Sequence, residues 1–403
     1  MNRDHLKRTL FNLIEHEIER TPLIELYGPR RSGKTTLMQS LMKNNTRYLS
    51  LSDPRMQAIA REHPESFLDL NHPPVFFDDI EACPGLLDHI LRRISSGIPE
   101  PGQYLIAGTV KPDGLEQFSS SIRKTFTLFP LSMREISGYP DSVFYWEDGP
   151  HNQGSFLAGP FLWENFLRGG FPEILTSKEI SYSQFYSIYL SEYLQKDILP
   201  FRKKAVTEPF KDFLRLLARR TGEPLNLSEM ARNLHTTLHI VKMWLSLMEK
   251  THQVFLLPSY EGRSRSPLIK ASKAYFTNTG LLCFLLDITD PGKAPLSSWA
   301  PVILETAVLN EILRSRYHRG KEPGISFWRK ATGMEVSLIL EDRKGLVALE
   351  TTPSSKPEST MSKGIRFLRK EIADPGMRGY VINPGRSSIP LAEGIESLPL
   401  CNL

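Results

Sequence analysis

Cysteine is nearly absent: the 403 residues carry three, at positions 83, 283 and 401, with no CxxC pair among them. So sparse a set argues against a disulfide framework or a cysteine-bound zinc, and suits a reducing, cytoplasmic compartment. Long apolar runs are missing too. None approaches the ~18 residues that span a bilayer. The opening MNRDHLKRTLFNLIEHEIER is amphipathic and charged, without the continuous apolar core of a signal peptide. No membrane partner is expected. There is no internal repeat and no low-complexity tract. Overall charge of one sign is also lacking, since 50 Lys and Arg face 45 Asp and Glu. A local excess exists, because residues 201–275 hold 14 basic against 6 acidic side chains. That surplus suits a duplex DNA backbone or an ordinary solvated face.

The length calls for two to four domains. Up to about residue 135, apolar runs alternate with amphipathic stretches. Strands are predicted at LIELY (23–27), RYLSLSD (47–53), PPVFFDDI (73–80), QYLIAGTV (103–110) and KTFTLFPL (124–131). Helices are predicted over 33–42, over PRMQAIAREHPESFL and over LLDHILRRISSG. The pattern predicts an α/β fold with a parallel sheet, whose ligands bind beyond the carboxyl ends of the strands. A loop-like stretch near 140 opens a helical connector over 141–205. FKDFLRLLARR, NLSEMARNL (capped by Asn226 or Ser228) and TTLHIVKMWLSLMEK follow as three helices, then QVFLLPSY and KAYFT as two strands. That order predicts a winged helix-turn-helix over 206–288. The remaining residues, 289–403, read as a small mixed α/β domain.

GPRRSGKTT (28–36) matches GxxxxGK[ST] between a predicted strand and a predicted helix, the context this phosphate loop requires. Gly28 and Gly33 permit the tight turn, and the backbone of Gly28, Pro29, Arg30, Arg31, Ser32, Gly33, Lys34, Thr35 and Thr36 surrounds an anion at a helix start. Lys34 is expected on the β- and γ-phosphates of ATP, and Thr35 on Mg²⁺. Arg30 and Arg31 are candidate phosphate contacts. With no NKxD guanine-reading motif, ATP is favoured over GTP. Asp78, ending the third strand, is the second expected Mg²⁺ ligand. Asp79 is the expected water-activating acid, one methylene shorter than the usual Glu. Glu81 reads as a surface acid opening the next loop, or as a substitute for that missing reach. Thr109 reads as a γ-phosphate sensor or a plain turn residue. Arg123 is a candidate arginine finger across a subunit boundary. On the third helix of the winged helix, Thr236, Thr237, His239 and Lys242 are candidate groove contacts, with Arg263 and Arg265 on the wing. HTTLH (235–239) lacks the Glu of a zinc-protease motif.

Taken together, GPRRSGKTTL, DDIEACPGL, AGT, PLSMRE, GGFPE, YLSEYLQKD and KASKAYFTNTGL resemble the motifs of prokaryotic AAA-type ATPases with a C-terminal domain of unknown function. The resemblance runs from about residue 10 to 350. It implies a P-loop ATPase domain over 1–140 and a restriction-endonuclease-like tail. In that tail the metal-binding and lysine positions read Glu305, Glu335-Val336-Ser337 and Glu350-Thr351-Thr352. Ser replaces an Asp ligand and Thr replaces the Lys, so nuclease activity is not expected. Asn278 stands where the family has Asp. The expected activity is a nucleotide-dependent switch with slow ATP hydrolysis, coupled to DNA or a protein partner. The alternative is an ATP-bound adaptor that does not hydrolyse.

Overall fold

The computed structural model describes residues 6–115, 117–148, 160–177, 180–199, 207–260, 262, 269–342, 344–374 and 376–403. Arg263 and Arg265, expected on a wing, lie outside the described residues.

The first unit runs α1 (Leu10–Ile18), β1 (Leu23–Tyr27), α2 (Lys34–Leu41), β2 (Arg47–Ser50), α3 (Pro54–Glu62), α4 (Pro64–Leu70), β3 (Val75–Asp78), α5 (Pro84–Ser96), β4 (Tyr104–Gly108) and β5 (Arg123–Thr127). The strands form one five-stranded sheet in the order β2-β3-β4-β1-β5, every pair parallel. Strands β1, β3 and β4 are wholly buried, as their unbroken apolar runs require when both faces are covered. Because all five strands point the same way, the turns after β1, β3 and β4 meet at one edge. The helix expected over PRMQAIAREHPESFL is two helices. Pro64 has no N–H to give the preceding turn, so α3 ends at Glu62 and α4 restarts at Pro64.

A connector of helices follows: α6 (Met133–Ile136), α7 (Tyr145–Asp148), α8 (Pro160–Arg168), α9 (Pro172–Thr176) and α10 (Tyr182–Tyr193), the last running into a π-helical turn at Leu194–Ile198. Then come α11 (Thr207–Arg219), α12 (Leu227–Asn233), α13 (Leu238–Lys250), the antiparallel pair β6 (Val254–Leu257) and β7 (Lys273–Phe276), and α14 (Thr279–Leu285). Asn226 caps α12 through the Glu229 N–H. The final unit is α15 (Ala300–Tyr317), β8 (Ile325–Arg329), β9 (Glu335–Asp342), β10 (Gly345–Thr351), α16 (Lys363–Ile372), β11 (Arg378–Asn383), β12 (Pro390–Ala392) and β13 (Ile395–Pro399). Its six-stranded sheet, ordered β12-β13-β11-β10-β9-β8, is mixed, with β10-β11 and β11-β13 parallel.

One apolar core joins the connector, α11–α14, α15 and one face of the tail sheet. Within this body, Arg134 of α6 pairs with Glu311 of α15 at 2.9 Å. The five-stranded sheet unit joins it through buried polar contacts made around α6. Glu135 caps α6 and receives Arg8 at 3.2 Å and His318 at 3.3 Å. Burial alone would raise the Glu135 carboxyl, but Arg8 and His318 hold it well below the usual range. Among the described residues, no helix is long and apolar enough to cross a membrane.

Candidate functional site

The turn after β1 can only be built from these residue types. A Cβ on Gly28 would sit 2.1 Å from the Leu128 carbonyl oxygen, so the loop must start with glycine. Gly33 caps α2 at φ +97°, a left-handed value that costs other residues. Between them the loop closes on its own lysine. The Lys34 ammonium is buried and donates to the carbonyls of Gly28 at 2.9 Å and Pro29 at 3.0 Å. Burial lowers its pKa, and Glu81 is the charge that opposes this most. The buried Ser32 hydroxyl has no hydrogen-bond partner among the described residues.

Thr35 opens α2 and donates its hydroxyl to Asp78 Oδ2 at 2.7 Å, while the Tyr48 hydroxyl reaches the same oxygen at 3.3 Å. Burial raises the Asp78 carboxyl. A hydroxyl and a carboxylate this close, beside a phosphate loop, form the oxygen donor set that Mg²⁺ takes alongside nucleotide phosphates. The residues present therefore fit both the nucleotide and its metal.

Three expectations need correction. The first concerns the acids after Asp78. The strand stops there, and Asp79 takes a left-handed turn (φ 57°) into a 3-10 turn at Ile80–Ala82. This points the Asp79 carboxylate toward β2, where Ser50 donates to it at 3.3 Å. The same turn carries Glu81 back over the end of β4. Glu81 is not a surface acid: it is half-buried and accepts the Thr109 N–H at 3.1 Å. Gly108 makes room for it, since a Cβ there would lie 2.7 Å from Glu81 Oε2. Burial raises the Glu81 carboxyl, with Lys34 opposing.

The second correction concerns Arg123. It pairs with Glu25 at 2.8 Å, both side chains almost fully buried. It also starts β5 in register with Leu23, the first residue of β1. That is the sheet edge opposite the phosphate loop, and there the guanidinium is held in a core ion pair with Glu25.

The third concerns Arg30 and Arg31, which turn away from the loop. Arg30 makes a bidentate contact with the buried Asp197 of the π-helical turn, at 3.1 and 2.9 Å. Arg31 pairs with Glu192 of α10 at 2.9 Å and Glu173 of α9 at 2.7 Å. The loop's two arginines thus bind the helical connector.

Beside the loop lies a hollow of about 770 Å³ lined by Arg8, Phe11, Gly33, Thr36, Leu37 and Pro172, among others. Its volume lies within the range of small-molecule pockets. The sequence signal for Arg8, Phe11 and Pro172 was weak, because none belongs to the phosphate-loop motif; the amphipathic N-terminus and GGFPE were the only hints. A second cavity of about 770 Å³, between residues 110–115 and α13, meets the site only at Glu81.

In the tail, Glu305, Ser337 and Glu350 do converge. The Ser337 hydroxyl lies 2.7 Å from Glu305 and 3.1 Å from Glu350. Tyr275 bonds Glu305, and Lys273 of β7 pairs with Glu335, which Arg329 also reaches at 3.0 Å. Burial, then Glu305, pushes the Glu350 carboxyl up to about 8. Thr352 serves a local turn, accepting the Ser354 N–H at 3.2 Å. Asn278 caps α14, accepts from Tyr186 and donates to the Gly169 carbonyl. On α13, Thr237 is spent as the cap, while His239 and Lys242 are exposed. No group of three or more His, Cys, Asp or Glu among the described residues is arranged to hold a metal ion.

Comparison with known proteins finds three family models along the chain. Residues 20–137 match the AAA domain family model. Residues 160–292 match a domain of unknown function (DUF8612), and residues 302–403 match another (DUF4143). Uncharacterized proteins of Mycobacterium tuberculosis and Mycobacterium bovis are each 22% identical over 392 residues, covering 96% of this chain and 82% of the relative. Among solved structures, the Walker-type ATPase of Pyrococcus abyssi is similar with a TM-score of 0.44 and 11% identity, over 69% of this chain and 94% of that one. A signal transduction ATPase with a tetratricopeptide repeat sensor from Pyrococcus horikoshii gives a TM-score of 0.26 and 14% identity, over 77% and 47%.

Proposed function

We propose a function from one premise: this chain belongs to the AAA-type ATPases that carry C-terminal domains of unknown function. It binds ATP with Mg²⁺ and works as a nucleotide-dependent switch, hydrolysing ATP slowly. Lys34 exchanges its two loop carbonyls for phosphate oxygens, Thr35 and Asp78 hold the metal, and Thr109 marks the γ-phosphate end. Glu81, rather than Asp79, orients the attacking water and takes its proton, giving ADP and phosphate. Its long side chain supplies the reach that Asp79 lacks.

The observation that carries the switch is the Arg30–Asp197 contact. A loop that must move to admit phosphate is tied, by two charge-assisted hydrogen bonds, to a π-helical turn in the connector. The connector leads into α11–α13 and β6–β7, which we take as a winged helix over 206–288 with the exposed His239 and Lys242 facing a DNA or protein partner. Only a small part of the basic excess of 201–275 is neutralised from outside the segment, where Lys250 pairs with Asp113 and Lys273 with Glu335. The tail over 289–403 then acts by docking. Asp197→Asn tests the switch. ATP still binds, but limited proteolysis of the connector no longer differs between the ATP-bound and nucleotide-free protein. An undiminished difference would remove the switch.

A further inference from the structure

We infer that the outer face of α16 is a binding site for the phosphate backbone of a nucleic acid, on the tail and apart from α13 and the wing. The helix reads KGIRFLRKEI. Its Ile365 and Leu368 are buried in the core beneath the sheet, which fixes the helix's rotation. The rotation sends Lys363, Arg366, Phe367 and Lys370 outward, at i, i+3, i+4 and i+7. No acid shares that stripe. Glu371, the helix's acid, is turned to Lys330 at 3.1 Å.

The stripe borders a hollow of about 560 Å³ whose charged lining is Lys363, Arg366, Arg369, Lys370 and one acid, Glu393. Arg369 builds the wall. Its guanidinium donates to the backbone carbonyls of Met377 at 2.9 Å, Gly394 at 2.8 Å and Glu393, holding the β12–β13 turn against the helix. Arg366 has one long bond to the Ser359 carbonyl, at 3.4 Å. Lys363 and Lys370 have no carboxylate partner among the described residues, unlike Lys211 and Arg215 of α11, which pair locally. Phe367 stands between the charges, 37% exposed, with its ring 5.9 Å from Trp328 and the Lys330 ammonium 4.6 Å from its centre.

The geometry selects the ligand class. Seven residues of helix separate Lys363 and Lys370 by about 10 Å. That exceeds one phosphate and suits an anion repeated along a chain. A fixed aromatic side chain between the cations gives the sugar faces an apolar surface. A polynucleotide has both features, and its binding draws on counterion release by such cations.

The test uses the full chain and a short labelled DNA duplex, with anisotropy measured across a salt series. The triple variant Lys363→Gln, Arg366→Gln, Lys370→Gln is expected to lose at least tenfold in affinity at low salt. Its log affinity against log salt should be shallower by about 2.7, at 0.9 per lost phosphate contact. Lys363→Arg with Lys370→Arg should keep both values, and ATP affinity should be unchanged in every variant, which separates this outcome from failure of the nucleotide site or of folding. Phe367→Ala should weaken binding a few-fold without changing the slope. An unchanged slope in the triple variant overturns the proposal. So does absence of duplex binding by the unaltered chain, or preferential binding of phosphatidylserine vesicles that excludes the duplex.

Discussion

Two clusters of lysine, hydroxyl and carboxylate sit at the two ends of this chain, and they are in opposite states. At the end of β3, Lys34 rests on two backbone carbonyls, and Thr35 shares its proton with Asp78. Nothing there pairs Lys34 directly with an acid, so an incoming phosphate has to displace only neutral groups. In the tail, Lys273 is paired to Glu335, Ser337 fills the space between Glu305 and Glu350, and Tyr275 caps Glu305. Every group that could take a metal is already bound to a neighbour. Similar ingredients thus give a site waiting for a ligand in one region and a filled core in the other. What separates them is whether the lysine's charge is held in reserve.

Removing each lysine should break the comparison most sharply. Lys34→Ala is expected to abolish ATP binding, a loss beyond about a hundredfold, because the loop loses its one phosphate-directed cation. Its thermal stability should hold, since only a buried cation on neutral partners is lost. Lys273→Ala should do the reverse. ATP binding stays, while stability falls by about 3 kcal/mol, near the low end for a broken buried pair because Arg329 still reaches Glu335. Calorimetric titration with Mg-ATP and urea unfolding read the two effects. Retained ATP affinity in Lys34→Ala would refute the nucleotide site.

The next contrast lies within the first cluster. Glu81→Gln should slow ATP turnover by about a hundredfold, the lower range for a lost proton acceptor. ATP affinity should move little. Asp79→Asn should leave turnover within a few-fold, because its carboxylate faces Ser50. A phosphate-release assay on both decides the assignment. If Asp79→Asn is the inactive one, the 3-10 turn rearranges when nucleotide binds and the roles revert to Asp79.

The phosphate loop was legible because its chemistry is contiguous: nine residues between a strand and a helix specify it. The five parallel strands were legible from their apolar runs. Glu81 reads as a surface acid when it is placed at the start of the next loop, whereas a left-handed residue at Asp79 turns it back over the end of β4. Arg30, Arg31 and Arg123 were assigned to ligand because their partners, Asp197, Glu192 and Glu25, become neighbours only through tertiary packing and strand register. Lys273 was missed as the tail's cation for the same reason, since it arrives from β7 rather than from the strand where a lysine was sought. The basic stripe of α16 has plain helical spacing, but reading 289–403 only as a mixed α/β domain does not single it out.

A smaller effect distinguishes the clusters by pH. The Glu350 carboxyl sits near 8 in the fold against an ordinary value of 4.5. As pH rises from about 4.5 toward 8, the unfolded chain releases this proton first, so the group's contribution to stability declines over that window and levels off above it. Glu350→Gln has no proton to release. Its stability relative to the unaltered chain should therefore improve between about pH 5 and pH 8. Urea midpoints that differ equally at both pH values would show that Glu350 is ionised in the fold.

The smallest effect expected is a restored metal site, because two changes are needed and neither alone suffices. Ser337→Asp puts a third carboxylate between Glu305 and Glu350, but Lys273 still neutralises Glu335 alongside, and the crowded acids are expected to share protons rather than take up a cation. Lys273→Met clears the ammonium but leaves a hydroxyl, a weak ligand, in the middle. Together they create a trio of carboxylates at 305, 337 and 350 with the ammonium removed and Arg329 held on Glu335 beside them, the donor set that hard divalent ions prefer. Mn²⁺ binding in the millimolar range, followed by water-proton relaxation, should appear in the double variant only. If Ser337→Asp alone binds Mn²⁺ as well, Lys273 is not what keeps the cluster closed, and the difference between the two ends of the chain lies in the serine.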